Sequence, residues 1–152
     1  MLSNVKTIPS FFRLFLMTEY LLSSPENPDY CRLSYLPEQQ LTVSWHGQVT
    51  GPLAYEGAQA ALDILRQHPC CCLLNDNTDL QGPWFDSLLW LAQRWAPAAA
   101  AAGVQYVAHV VRAGTLATTF LGAPTHHLFT QFEIQIFDLL TEANDWLASC
   151  RK

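Results

Sequence analysis

Lysine is almost missing from this chain. Lys6 and Lys152 are the only two, and six scattered arginines bring the cations to eight against thirteen acids, a net charge of -5. No stripe of positive charge can form, which removes the means of neutralising a run of phosphates or of docking electrostatically to anionic lipid. Nucleic acid is therefore not an expected partner. Long apolar runs are lacking too. The best candidate, Ile8 to Leu22 (IPSFFRLFLMTEYLL), is interrupted by Arg13 and Glu19 and falls short of the ~20 apolar residues that span a bilayer. It has no unbroken apolar centre followed by a small-residue cleavage site, so neither a membrane span nor export is expected, and the expected location is cytoplasmic.

Catalytic fingerprints are equally scarce. No G-x-S-x-G elbow is present, and neither glycine-rich phosphate motif occurs. Spaced cysteine pairs are absent: the five cysteines are an odd number, three of them adjacent in Gln67 to Asp76 (QHPCCCLLND), so reduced thiols are expected rather than a disulfide framework. No enzyme reaction can be named from such a set, and no cofactor or metal is expected.

What is present is apolar surface. Half of the 152 residues are hydrophobic, enough for one domain with a full core. Tyr30 to Leu36 (YCRLSYL) and Leu41 to His46 (LTVSWH) alternate so that Cys31, Leu33, Tyr35, Leu41, Val43 and Trp45 share a face, which predicts an antiparallel hairpin turning at residues 37–40. Pro52 suits the first turn of a helix running to about Gln67, with Ala54, Ala58, Ala61, Leu62 and Leu65 inward. Cys70 to Leu74 and Val104 to Val111 read as strands covered on both faces. Between them Trp84, Leu88, Leu91 and Trp95 form a helical stripe that Pro97 should kink or restart and Gly103 should cap. The pair of strands should then be parallel. A short helix at Thr115 to Leu121, a strand at 132–136 and a final helix capped by Asp138 complete the order ββαβαβαβα. Residues 1–27 are set apart as an N-terminal extension, helix being the form considered for it, and 28–152 as the domain.

The hairpin ending in Ser44-Trp45-His46-Gly47, the parallel βα core and the closing FDLLTEANDWL together resemble the anti-sigma-factor antagonist (STAS) superfamily, and more closely its small bacterial SpoIIAA-like proteins, themselves similar to CRAL-TRIO lipid-binding domains. The resemblance implies an α/β fold with a mixed sheet and a regulatory, non-enzymatic role. It also implies a phosphorylated serine after the central strand. Asp86-Ser87 is the nearest match, followed here by Leu88 and Leu89 where the family has a small residue and glycine.

Candidate site residues cluster after the central strand. In an open α/β sheet, ligands bind at the carboxyl ends of the strands, which directs attention to Asn75, Asp76, Asn77 and Asp79. With Asp86 and Trp90 they form a candidate partner or ligand loop, the bland alternative being a turn and helix cap. Asn75, Asn77, Asp79 and Asp86 fall at calcium-loop spacing, but Leu80 occupies the position that needs glycine. The three cysteines read as strand filling, with Cys70 and Cys72 on one face and Cys71 on the other. His126-His127 reads as surface loop, and His46 and His109 as structural residues on strands. Trp84 and Trp95 belong to the core stripe, whereas Trp90 points off it. Two readings follow: a domain that binds a protein partner through Asn75 to Asp86 and the next helix, or a small carrier of an apolar or lipid-like ligand. A homodimer through Trp90 or the hairpin edge is also considered.

Overall fold

The computed structural model describes residues 6–8, 17–37, 39–81, 88–112 and 128–151, with the backbone alone for 6–8. Among the described residues seven strands form one mixed sheet whose spatial order follows the chain: β1 (Lys6–Ile8), β2 (Thr18–Leu22), β3 (Cys31–Leu36), β4 (Gln40–Gln48), β5 (Cys72–Gln81), β6 (Tyr106–Val110) and β7 (Glu133–Phe137). Pairing is antiparallel from β1 to β4 and parallel from β4 to β7.

The expected hairpin is β3–β4, with Leu33 opposite Val43 and Tyr35 opposite Leu41. Its outer edge is not free. Residues 6–8 and 18–22, for which helix was considered, are strands, and β2 pairs with β3 through Tyr20–Leu33 and Leu22–Cys31. An uncovered β3 would present a row of unpaired backbone groups, and strand addition satisfies them. The alternation is physical as well as textual: Cys31, Leu33, Tyr35, Leu41, Val43 and Trp45 are buried, while Arg32, Ser34, Thr42 and Ser44 stay half-exposed on the other side. This is the one-sided burial expected of an antiparallel sheet.

Helix α1 (Gly51–Gln67) covers the buried face, with Pro52 in its first turn and Ala54, Ala58, Ala61, Leu62 and Leu65 inward. The β5–β6 crossover is α2 (Leu88–Trp90), a π-helical turn (Leu91–Trp95) and α3 (Ala96–Ala101). Pro97 explains the interruption: it has no N–H to donate to residue 93, and the ring would crowd that carbonyl, so the turn widens and Ala96 N–H reaches Leu91 O. Gly103, at φ +112, closes the helix, with Gly103 N–H donating to Ala100 O and Val104 N–H to Ala99 O. On the opposite sheet face α4 (Leu140–Cys150) buries Ala143 and Leu147 against Cys72, Leu74, Ala108 and Val110. Strands β5 and β6 are thus covered twice, which accounts for their unbroken apolar runs.

One local expectation changes. The cap residue of α4 is Leu139, without a side-chain cap bond, and Asp138 lies one residue too early; Leu139 itself is exposed. Burial of Ala143 and Leu147 sets the position of this helix. The helix expected at Thr115 to Leu121 lies outside the described residues, so the described order is four strands, α1, β5, the interrupted helix, β6, β7 and α4.

Candidate functional site

The polar run after the central strand is not a loop. β5 continues from Cys72 through Gln81, its Asn75–Asp76 segment flanked by Val43–Ser44 on one side and His109–Val110 on the other. Between Ser44 and His46 the partner register moves from Asp76 to Asp79, so β5 carries one extra residue, a β-bulge. Asp76 serves that bulge by accepting the backbone N–H of Thr78 at 3.0 Å and the Thr78 hydroxyl. Asparagine and aspartate favour turns in isolation, but pairing on both sides overrides that preference.

On the face covered by α1, four neutral side chains meet across β4, β5 and β6, Trp45 and Asn75 within their strands and His109 next to last in β6. Trp45 Nε1 donates to Asn75 Oδ1 at 2.8 Å. An indole N–H can only donate, so the Asn75 amide turns its oxygen to Trp45 and its NH2 to His109 Nδ1 at 2.8 Å and Asn77 Oδ1 at 3.3 Å. His109 Nδ1 is then an acceptor, and the neutral ring carries its proton on Nε2. Asn77 and His109 are both buried. The parallel register brings this row together by placing Val43, Asn75 and His109 side by side. Trp45 and His109 are functional candidates that the sequence reading left as structural; the clue was that β6 had to neighbour β5.

Asp79 belongs elsewhere. It is exposed past the bulge, 3.6 Å from His46 Nδ1 and 3.5 Å from Arg112 Nη2. Asn75, Asn77 and Asp79 therefore do not encircle one ion, and among the described residues no group of three His, Cys, Asp or Glu is placed to hold a metal.

Trp90 is half-buried against the helix-side core rather than turned wholly away, and its ring meets Tyr55 in a tilted contact, centroids 4.6 Å apart and planes 50° to each other. Tyr55 is 48% exposed and Leu89 58%. Trp95 is a core residue, its indole N–H donating to Ala58 O at 2.7 Å. Trp84, Asp86, Ser87, His126 and His127 lie outside the described residues.

The cysteine triplet departs from simple alternation because β5 begins only at Cys72. Cys70 packs into the core beneath α1, whereas Cys72 packs under α4 with Cys71 beside it, the two sulfurs 3.6 Å apart. Burial pushes the Cys70 thiol up to about 11 and the Cys72 thiol up to about 12, the latter helped by its bond to Cys71. Cys31 is raised further, again by burial. These buried thiols are poor nucleophiles at neutral pH.

No family model, curated protein or solved structure matches the chain.

Proposed function

We propose that the protein is a non-enzymatic, STAS-like regulatory domain that binds a protein partner near the starts of α1 and α2, through Tyr55, Leu89 and Trp90. The carrying observation is the tilted Tyr55–Trp90 ring contact flanked by exposed Leu89. Single exposed apolar residues are ordinary, but adjoining aromatic and aliphatic side chains of this kind are what partner anchors are made of. Of the surface expected from Asn75 to Asp86 and the next helix, this proposal keeps the helix with Trp90 and leaves out Asn75 to Asp79, which belong to β5; Asp86 lies outside the described residues. Phosphorylation at Ser87, next to Leu88 and Leu89, is the regulatory step the family resemblance suggests.

A photo-crosslinking residue at position 89, compared with one at position 42 on the open polar face, tests the proposal in the native host. One dominant protein should cross-link from 89 and be lost on adding Tyr55→Lys. Equal recovery from both positions would count against the surface.

A second reading, a carrier of a mainly apolar molecule, draws on the Trp45–Asn75–His109 row with buried Asn77 beside it. A few polar anchors amid aromatics is the usual composition of such sites. Because all four anchors are neutral, the head group would be neutral too. Added mass in native mass spectrometry, without a cross-linked protein at 89, would favour the carrier.

A further inference from the structure

A second chemical feature lies at the start of β5, three residues before Asn75. Cys71 precedes β5 and is half-exposed; Cys72, the first residue of β5, is fully buried; their sulfurs are 3.6 Å apart. Cys72 Sγ also points to Leu147 O of α4 at 3.7 Å, and the half-exposed Cys150 ends that helix. The carbonyl of Cys71 carries an unusual share of the β5–β6 seam, accepting both Gln105 N–H at 2.9 Å and Tyr106 N–H at 3.0 Å.

We propose that Cys71 and Cys72 are a peroxide-responsive dithiol that closes to a disulfide between adjacent residues and thereby loosens the start of the β5–β6 seam. Accessibility assigns the roles. Cys71 meets solvent, while the Cys72 thiol, held protonated by burial, keeps a hydrogen to offer to the Cys71 sulfur. The Cys71 thiolate attacks one oxygen of a hydroperoxide: an S–O bond forms, the O–O bond breaks, and hydroxide or alkoxide leaves. The Cys72 thiol, a poor nucleophile while protonated, is held 3.6 Å away and attacks the resulting sulfenic acid as its proton passes to the departing hydroxyl, so that water leaves as the S–S bond forms. Both thiols together lose two electrons and two protons, and the hydroperoxide is reduced to water and an alcohol or a second water.

Strain makes the device reversible. Adjacent Cα atoms are about 3.8 Å apart across a trans peptide, below the ~4.4–6.8 Å that an unstrained disulfide spans. A bond closed there is readily reduced. Closing it must twist the 71–72 peptide, and that twist swings the one carbonyl that anchors Gln105 and Tyr106.

The experiment treats folded protein with one equivalent of hydrogen peroxide, then reads the tryptic fragment from Gln67 to Arg94 without reduction, alongside amide exchange. The expected product is that fragment lighter by two hydrogen atoms, with Gln105 and Tyr106 amides exchanging about tenfold faster and recovering after thiol treatment. Cys71→Ser should abolish the product, and Cys72→Ala should leave a sulfenic acid at Cys71 that dimedone captures. Should Cys72→Ala fail to fold, dimedone added to the wild-type protein during oxidation reports the same intermediate. A bridge to Cys150, first oxidation at Cys70, or unchanged exchange at Gln105 and Tyr106 would overturn the proposal.

Discussion

Trp45 and Asn75 lie thirty positions apart in the chain and meet at 2.8 Å across neighbouring parallel strands. The bond does more than join β4 to β5. By claiming the amide oxygen it sends the Asn75 NH2 toward His109, and so selects which imidazole nitrogen is protonated. A long-range proton–nitrogen correlation spectrum should show His109 with Nδ1 bare and Nε2 protonated. Trp45→Phe, which removes the orienting donor, should populate both tautomers. An Nδ1–H form in the wild-type protein would show that the amide faces the other way.

Gly57 is where α1 comes down on the same tryptophan. A Cβ built there would overlap Trp45 Cη2, lie 2.7 Å from Cζ3, and come within 3.2 Å of Cys31 Sγ. Replacing a helical glycine by alanine ordinarily gains about 0.5–1 kcal/mol. Here the ring cannot yield, since Trp45 is 3% exposed and tied to Asn75. Gly57→Ala is expected to lower stability by about 1–3 kcal/mol in urea unfolding, and to disturb the His109 tautomer as well. A gain in stability would mean that the ring moves freely.

Within Asn75-Asp76-Asn77-Thr78-Asp79, Asn77 inside the bulge and Asp79 just past it should respond unequally. Asn77 is 6% exposed and accepts from Asn75, so Asn77→Ala strips a buried partner and should cost about 1–3 kcal/mol. The Asp79 side chain is 61% exposed, and its contacts to His46 and Arg112 are 3.6 and 3.5 Å long. Asp79→Asn should change stability by no more than about 0.5 kcal/mol. Equal losses for the two variants would contradict the burial assigned to them.

That contrast also marks where reading the sequence succeeds and where it stops. The alternation through Cys31 to Trp45, Pro52 at the start of α1 and Gly103 at a helix end are local signals, and each corresponds to a local structure. The mixed α/β sheet follows from them. By contrast, Thr18 to Leu22 sits inside an aromatic apolar stretch with no strand-like alternation, and becomes β2 because β3 offers an edge. The Asn75–Asp79 stretch has the composition of a turn, and pairing on both sides draws it into β5. The meeting of Trp45, Asn75 and His109 depends on the register of three parallel strands, which no single stretch encodes. The cysteine triplet misled for a related reason, since the faces of Cys70 to Cys72 depend on where β5 begins.

The same buried thiols predict how the fold fails in alkali. Cys70 and Cys72 have ordinary values of 9.0 and rise to about 11 and about 12, chiefly through burial. Their protonated forms are the ones the folded state favours. Below the ordinary value both states hold the proton and the stabilisation is complete. Above it the unfolded chain releases protons first, so stability falls with rising pH until the folded thiols themselves ionise. Each thiol should cost up to about 1.4 kcal/mol per pH unit in that window. Tyr30, raised by burial and by its bond to Glu56, adds to the loss at still higher pH. Urea midpoints measured under reducing conditions should therefore drop as the pH rises from about 9 to about 11, with Cys72 extending the loss toward about 12. Cys70→Ala should make the decline shallower by removing one of the contributing groups. A slope identical in wild type and Cys70→Ala would mean that Cys70 ionises as easily inside the fold as outside it, and that the packing beneath α1 admits water.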